Sequence, residues 1–356
     1  MRSRRLPHFN DPPLSASVDV TASDWREPVN FGHLLDSPRL LGQLSQITCC
    51  IGPRVPAECT VDMLCDQHFG ILRYTSNLQC LSIIDVYKED IFAALGHALS
   101  SEQDGVVVMN LWPRLASMNL YRGLRAPWIK AESISDIITL SPSLTDLVVL
   151  SDFAADQVQI GQVALKVIIG LWAALHTVLV ASAPLCSVQI RDPSGGGTWG
   201  FSGVIHMLGT VIPHPALSQV VVFKMTNASA PSSGMDSLLQ HLVRLQDLTI
   251  PVRPTLEDGD NGLLQALSAV PRRGLRSLTV VSQYDFQSGP GPYGISDAQI
   301  ILRALERLDA RKNNGAWWLR RLRFAFLTHV NRTDARSVAG ILDSWCRSRR
   351  IVLRIG

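Results

Sequence analysis

Leu245-Gln246-Asp247-Leu248-Thr249-Ile250 and Leu275-Arg276-Ser277-Leu278-Thr279-Val280 are two copies of one pattern, set 30 residues apart. The pattern is Leu-x-x-Leu-x-Leu, with other apolar residues allowed in place of the later leucines. Its last two apolar residues stand two apart, so in an extended chain they point to the same face. Each copy therefore reads as a short strand with one buried side.

Working outward, the pattern recurs at Leu78-Leu81-Ile83, Leu115-Met118-Leu120, Leu144-Leu147-Val149, Leu175-Val178-Val180, Leu217-Val220-Val222 and Leu319-Leu322-Phe324, which makes eight copies. A weaker copy starts at Leu44, and the closing Ile351-Leu353-Ile355 reads as a last strand. Between copies lie stretches with helical spacing of apolar residues: Asp90 to Leu99, Gln157 to Trp172, Met235 to Leu242, Leu263 to Val270, Asp297 to Leu308 and Asp334 to Trp345. Two of these have start signals, Ser296 with Gln299 three residues on, and Thr333 ahead of an acidic first turn.

One strand-helix unit cannot bury its own apolar face, and stacking the units side by side closes a continuous core. The strands are expected to form one curved parallel sheet, with Leu81, Ile83, Leu147, Val149, Val178, Val180, Val220, Val222, Leu248, Ile250, Leu278 and Val280 buried. A doubly wound α/β sheet also alternates strands and helices. Recurrence of one strand motif favours the repeat array. The intervals run from 28 to 31 residues in the middle but reach 42 and 44 where loops enter at Asp192 to Gly203 and Ser288 to Gly294. Residues 1–28 are polar, carry Pro7, Pro12 and Pro13 and have no clear period, so they are expected as a loosely ordered lead-in to an array over 29–356.

Leu78 to Ile83, Leu245 to Ile250 and Leu275 to Val280 look like the strand segments of leucine-rich repeats. The whole resembles fungal F-box proteins with degenerate repeats of this kind, because Asp24-Trp25 and Ser37-Pro38-Arg39-Leu40-Leu41 are similar to the stretch those proteins carry just after the F-box. The resemblance implies an α/β fold, an irregular leucine-rich-repeat-like solenoid with a curved parallel sheet and outer helices. It also implies a substrate-recognition role in an F-box-type ubiquitin ligase pathway. The segment before Trp25 lacks the apolar periodicity and the length of an F-box, so the ligase adaptor is not an expected partner of the chain as it stands. Three residues after the third apolar position, regular repeats place an asparagine. Here those sites are Val86, Gly123, Asp152, Ala183, Met225, Arg253, Gln283 and Leu327, so the turn backbone must be satisfied in other ways.

With 356 residues, 46% of them hydrophobic and 18% charged, the chain can bury a large core and is not of the disordered class. Seven cysteines and a short basic start without an apolar run behind it point to reduced thiols in the cytoplasm or nucleus. Cys49, Cys50, Cys59 and Cys65 cluster near His68, but none forms the Cys-x-x-Cys pair that aims two thiolates at one zinc. Val167 to Leu185 approaches the length of a membrane span. Lys166, His176, Pro184 and the strand motif inside it argue against one, so no membrane partner is expected.

Gly195-x-Gly197-x-x-Gly200 formally matches a dinucleotide fingerprint and follows a strand-like Val188-Gln189-Ile190. Asp192, Pro193 and Ser194 separate strand from glycines, and no acid for a ribose hydroxyl closes the next strand. A nucleotide-dependent enzyme using this loop is the alternative reading; no cofactor, metal or catalytic residue is expected. Ser202 lacks the second glycine of a nucleophile elbow, and Asp258 and Asp260 lack the other ligands of a calcium loop. From Ile301 onward, thirteen Lys or Arg face only Glu306, Asp309, Asp334 and Asp343. Arg320, Arg321 and Arg323 beside Trp317 and Trp318 could meet nucleic acid, though such charges more often form the solvated face of terminal repeats. The expected role is binding of a protein partner on the concave sheet. Residues between and just after the inward positions point there, and Tyr121, Val148, Leu150, Leu179, Val221 and Phe223 make that face unusually apolar.

Overall fold

The computed structural model of the chain describes residues 17–22, 42, 44–51, 75–85, 112–122, 141, 143–150, 165–170, 184–190, 214–225, 232–252, 267–270, 274–282, 293–311, 319–326 and 332–356. The chain divides into two compact units, Met1–Leu165 and Lys166–Gly356. In the first, β1 (Ser17–Ala22), β2 (Gln46–Ile51), β3 (Cys80–Asp85), β4 (Ser117–Arg122) and β5 (Asp146–Leu150) pair as parallel neighbours in chain order. In the second, β6 (Val167–Gly170), β7 (Ser187–Ile190), β8 (Val222–Met225), β9 (Asp247–Pro251), β10 (Ser277–Ser282), β11 (Arg321–Phe326) and β12 (Val352–Ile355) do the same. Parallel neighbours in strict chain order are what a repeat array produces; a doubly wound sheet would reverse its order at a switch point. The chain is thus α/β, a leucine-rich-repeat-like stack of strand units.

The repeated leucines explain the sheet. Leu81 and Ile83, Met118 and Leu120, Leu147 and Val149, Leu248 and Ile250, Leu278 and Val280, and Leu322 and Phe324 are all buried, and the residue between each pair is half-buried or exposed. In-register pairing sets Leu248 beside Leu278 and Leu278 beside Leu322, so each leucine buries the next. Another buried residue stands three positions before the motif: Thr75, Trp112, Ser141, Leu217 and Leu242. Its carbonyl accepts from the amide of the motif's first residue, as in Leu115 N to Trp112 O at 3.1 Å and Leu245 N to Leu242 O at 3.0 Å. A tight turn therefore leads each of these strands out of the preceding segment.

At the edge where the strands begin, opposite the one where regular repeats carry the asparagine, the backbone makes a ladder of its own. Two successive amides at the start of a strand share one carbonyl of the previous repeat. Gln79 and Cys80 donate to Ser45 O at 2.8 and 3.0 Å, and Ala116 and Ser117 to Gln79 O at 2.9 and 3.0 Å. The same pairing recurs from Cys186 and Ser187 on Lys166 O through to Arg320 and Arg321 on Arg276 O. These backbone amides are satisfied whatever the side chains are, which lets the sequence at this edge vary.

Among the described residues of the second unit are the α-helices α1 (Ser232–His241), α2 (Tyr293–Arg311) and α3 (Arg332–Ser348), besides helical residues 267–269 and a 3-10 turn at Pro215–Gln219. On α2 the residues Ala298, Ile301, Leu305 and Leu308 form one buried stripe, and on α3 Val338, Leu342, Trp345 and Cys346 form another. The two helices pack on each other, α2 on β10 and α3 on β12. Arg349 Nε donates to Asp309 Oδ2 at 2.9 Å while its guanidinium lies 4.6 Å from the centre of the Trp345 ring, which ties the end of α3 to α2. Ser282 Oγ donates to the buried Asp297 Oδ2 at 2.5 Å, joining the end of β10 to the first turns of α2.

Several expectations are corrected here. Val167 to Gly170 is strand β6, not the end of a helix from Gln157 to Trp172; the run Val167-Ile168-Ile169 is β-branched and favours extended backbone. The flanking motifs are Leu165-x-x-Ile168 and Leu185-x-x-Val188-x-Ile190, with Leu165, Ile168, Leu185, Val188 and Ile190 buried. The copy placed at Leu175-Val178-Val180 lies outside the described residues. The copy placed at Leu217-Val220-Val222 is slipped by three: the strand reads Val220-x-x-Phe223-x-Met225, all three fully buried, while Val222 is only half-buried. Leu217, Val220 and Phe223 stand three apart, so the motif fits at two places, and pairing of Phe223 with Leu248 selects the second. Within residues 1–28 only Ser17 to Ala22 are described, as β1 paired in register with Gln46 to Ile51. Helix α2 begins at Tyr293, ahead of the expected Asp297, and of the helix expected over Leu263 to Val270 only 267–270 are described.

Candidate interaction surface

Opposite the leucines, the positions flanking the first inward residue of each strand belong to the other face of its sheet. In the first unit these are Gln46 and Thr48, Cys80 and Ser82, Ser117 and Asn119, and Asp146 and Val148, each half-buried or exposed. Parallel register aligns them in rows, Thr48, Ser82, Asn119 and Val148 forming one. Asn119 Nδ2 donates to Ser82 Oγ at 2.9 Å, a cross-strand bond that orients the amide along the row. The described side chains of these two rows are small and polar apart from Val148, while the row that alternation places next, Cys50, Ile84, Tyr121 and Leu150, has its side chains outside the described residues.

In the second unit the corresponding positions are Val167 and Ile169, Ser187 and Gln189, Val222 and Lys224, Asp247 and Thr249, Ser277 and Thr279, Arg321 and Arg323, and Val352 and Arg354. One row is Gln189, Lys224, Thr249, Thr279, Arg323 and Arg354. Its partner row is Ser187, Val222, Asp247, Ser277, Arg321 and Val352. The character changes along the sheet, apolar at β6 and strongly basic at β11 and β12. Arg321 reaches past β10 to Asp247, Nη2 to Oδ1 at 3.9 Å, with the two side chains 58% and 41% exposed. An ion pair that exposed contributes less than about 1 kcal/mol.

At the edge where the strands begin, side chains one residue before the motif reach along the stack. Arg114 Nη1 donates to Asn77 Oδ1 at 2.9 Å, and Arg244 Nη1 to Gln219 Oε1 at 2.7 Å. At the same position of the next repeat stands Gly274, where a Cβ would meet Leu245 O at 2.6 Å.

The residues singled out in the sequence separate into three groups. Phe223 is a core residue and not part of the open face: it is fully buried, for the reason of register given above. Val221 lies one residue ahead of the face row, half-buried, where its carbonyl accepts from Gln246 and Asp247 and its amide donates to Cys186 O. Val148 is half-buried in β5 and pairs with Asn119. The backbone positions of Tyr121 and Leu150 pair across β4 and β5, while their side chains, and Leu179 altogether, lie outside the described residues. The Gly195 to Gly200 loop, His176, His206, Asp258, Asp260, Trp317 and Trp318 also lie outside them. Sequence reasoning missed Lys224 and Arg354. Aligning Phe223 with Leu248 would have placed Lys224 in the column of Thr249.

Among the described residues no group of three or more His, Cys, Asp or Glu stands together as a metal site, and no helix is long and apolar enough to cross a membrane. No family model matches the chain, and no curated protein matches it. Among solved structures it is similar to the leucine-rich repeat-containing protein LegL7 from Legionella pneumophila, at 10% identity and a TM-score of 0.49, covering 96% of this chain and 89% of that one.

Proposed function

We propose that this chain is a non-enzymatic protein-interaction module that holds its partner on the open face of its parallel strands. The observation that supports this reading is the face itself: adjacent strands present in-register rows of half-exposed side chains opposite a core that the leucines fill. A rigid sheet carrying variable side chains at fixed spacing, about 4.8 Å from strand to strand, suits recognition of an extended surface on another macromolecule. An intracellular site of action, cytoplasmic or nuclear, belongs to the same reading. So does a place in an F-box-type ubiquitin ligase pathway, which rests on Asp24-Trp25 and Ser37 to Leu41 alone and is tested by whether ubiquitination of the captured partner falls when the chain is depleted from the source cells.

The main experiment compares two sets of substitutions in the full chain. Thr48→Glu with Val148→Glu, and Thr249→Glu with Thr279→Glu, alter the open face; Arg307→Glu with Arg336→Glu alter exposed positions on α2 and α3. Capture of proteins from extracts of the source cells, quantified by mass spectrometry, should fall at least tenfold for one of the open-face pairs and stay within twofold for the helix pair. Equal capture by all variants would remove the open face as the binding surface.

A further inference from the structure

We propose that the basic end of the open face, Arg321, Arg323 and Arg354 together with Lys224, takes an acidic peptide segment of a partner protein that lies across the strands. This rests on the open face being the binding surface and adds the chemistry of what it binds. The four cations come from three separate strands, and only the pairing assembles them. Arg323 and Arg354 are direct register partners on β11 and β12, and Arg321 stands two residues before Arg323 on the same face. Lys224 lies in the same row as Arg323, beyond Thr279 and Thr249. Like charges directly opposite on neighbouring strands destabilise a sheet, so this arrangement opposes folding and favours an anionic ligand.

Asp247 is the one carboxylate among the described face positions of β8 to β12, and it engages Arg321 at 3.9 Å. Arg323, Arg354 and Lys224 have no carboxylate partner among the described residues. From β8 to β12 the row spans four strand intervals, on the order of 19 Å, which about six residues of extended peptide would cover. The guanidinium forks suit the bidentate geometry of carboxylates. Between the cations stand Thr249, Thr279, Ser277, Val222 and Val352, none of which can stack on a base. A carboxylate-bearing peptide fits this surface better than a nucleic acid does.

The test uses the full chain and four fluorescein-labelled probes: a capped octaglutamate, the matching octaglutamine and octalysine, and an eight-nucleotide oligothymidylate. Fluorescence anisotropy should show saturable binding of octaglutamate that weakens steeply between low and physiological salt, with none of octaglutamine. The triple variant Arg321→Glu, Arg323→Glu, Arg354→Glu, shown to melt as the parent does by circular dichroism, should bind octaglutamate at least tenfold more weakly and acquire binding to octalysine. Arg307→Glu with Arg336→Glu should stay within twofold. Equal losses in both variants, absence of octaglutamate binding, or oligothymidylate binding tenfold or more tighter would each overturn the proposal. If octaglutamate fails while the open-face pairs still abolish partner capture, the acidic chemistry falls and the surface stands. If capture ignores the open face while octaglutamate binds as expected, the surface reading falls.

Discussion

Arg350 adopts φ 57°, a left-handed conformation that its Cβ resists. It does so to end α3: Ile351 N donates to Cys346 O at 2.9 Å and Arg350 N to Arg347 O at 3.1 Å, the paired bonds of a Schellman motif, with Ile351 buried behind them. Glycine fits the same position without strain, so Arg350→Gly should stabilise the second unit by about 1 kcal/mol, read as a higher denaturant midpoint at unchanged slope. One turn earlier, Cys346 is buried and its thiol pKa is pushed up to about 11, first by desolvation, then by the nearby Asp343 carboxylate, against a smaller opposing pull from Arg349. At pH 8 it is therefore almost wholly protonated. Alkylation with iodoacetamide, followed by peptide mapping, should modify the half-buried Cys80 and Cys186 well before Cys346. Comparable labelling of all three would show that the α2–α3 packing opens readily.

Each element here is a strand with its own tight turn, and the spacing between turns is set by backbone. Gly274 shows how closely they approach: a methyl group there would sit 2.6 Å from the Leu245 carbonyl oxygen, which is itself fixed by the stack. Gly274→Ala should cost about 1–3 kcal/mol, because neither side of the clash is a flexible side chain. Arg244, at the equivalent position one repeat earlier, has a side chain directed to Gln219 instead, and Arg244→Ala should cost under about 1 kcal/mol. Thermal denaturation of the two variants side by side checks the contrast, and a harmless Gly274→Ala would mean that adjacent turns slide freely.

Repeat stacks hold together through neighbours, so damage to one unit should spread to the next and fade beyond it. Leu248 lies between Phe223 and Leu278 in register, all three buried. Leu248→Asp would bury an unpaired charge at a cost of several kcal/mol. Hydrogen exchange should quicken most in β8, β9 and β10 and least in β12, whereas uniform loss of protection would indicate a single cooperative block. The amino-acid order by itself determined the class of this molecule: leucines two apart specify a strand with one buried face, and recurrence near thirty residues demands stacking, since one unit cannot cover its own core. It also marked Arg321 and Arg323 as part of a basic end. It could not choose between two alignments at Leu217 to Met225, because apolar residues three apart satisfy the pattern in either. That choice cost the site its accuracy: with the slipped alignment Phe223 belongs to the open face and Lys224 to no row at all. Tertiary structure decided the matter through inter-strand pairing, which sets Phe223 beside Leu248 and carries Lys224 into the row of Arg323 and Arg354. The physical reason is that period along a chain is a local property, whereas the neighbours of a surface residue in a parallel sheet come from other repeats and exist only once the strands have paired.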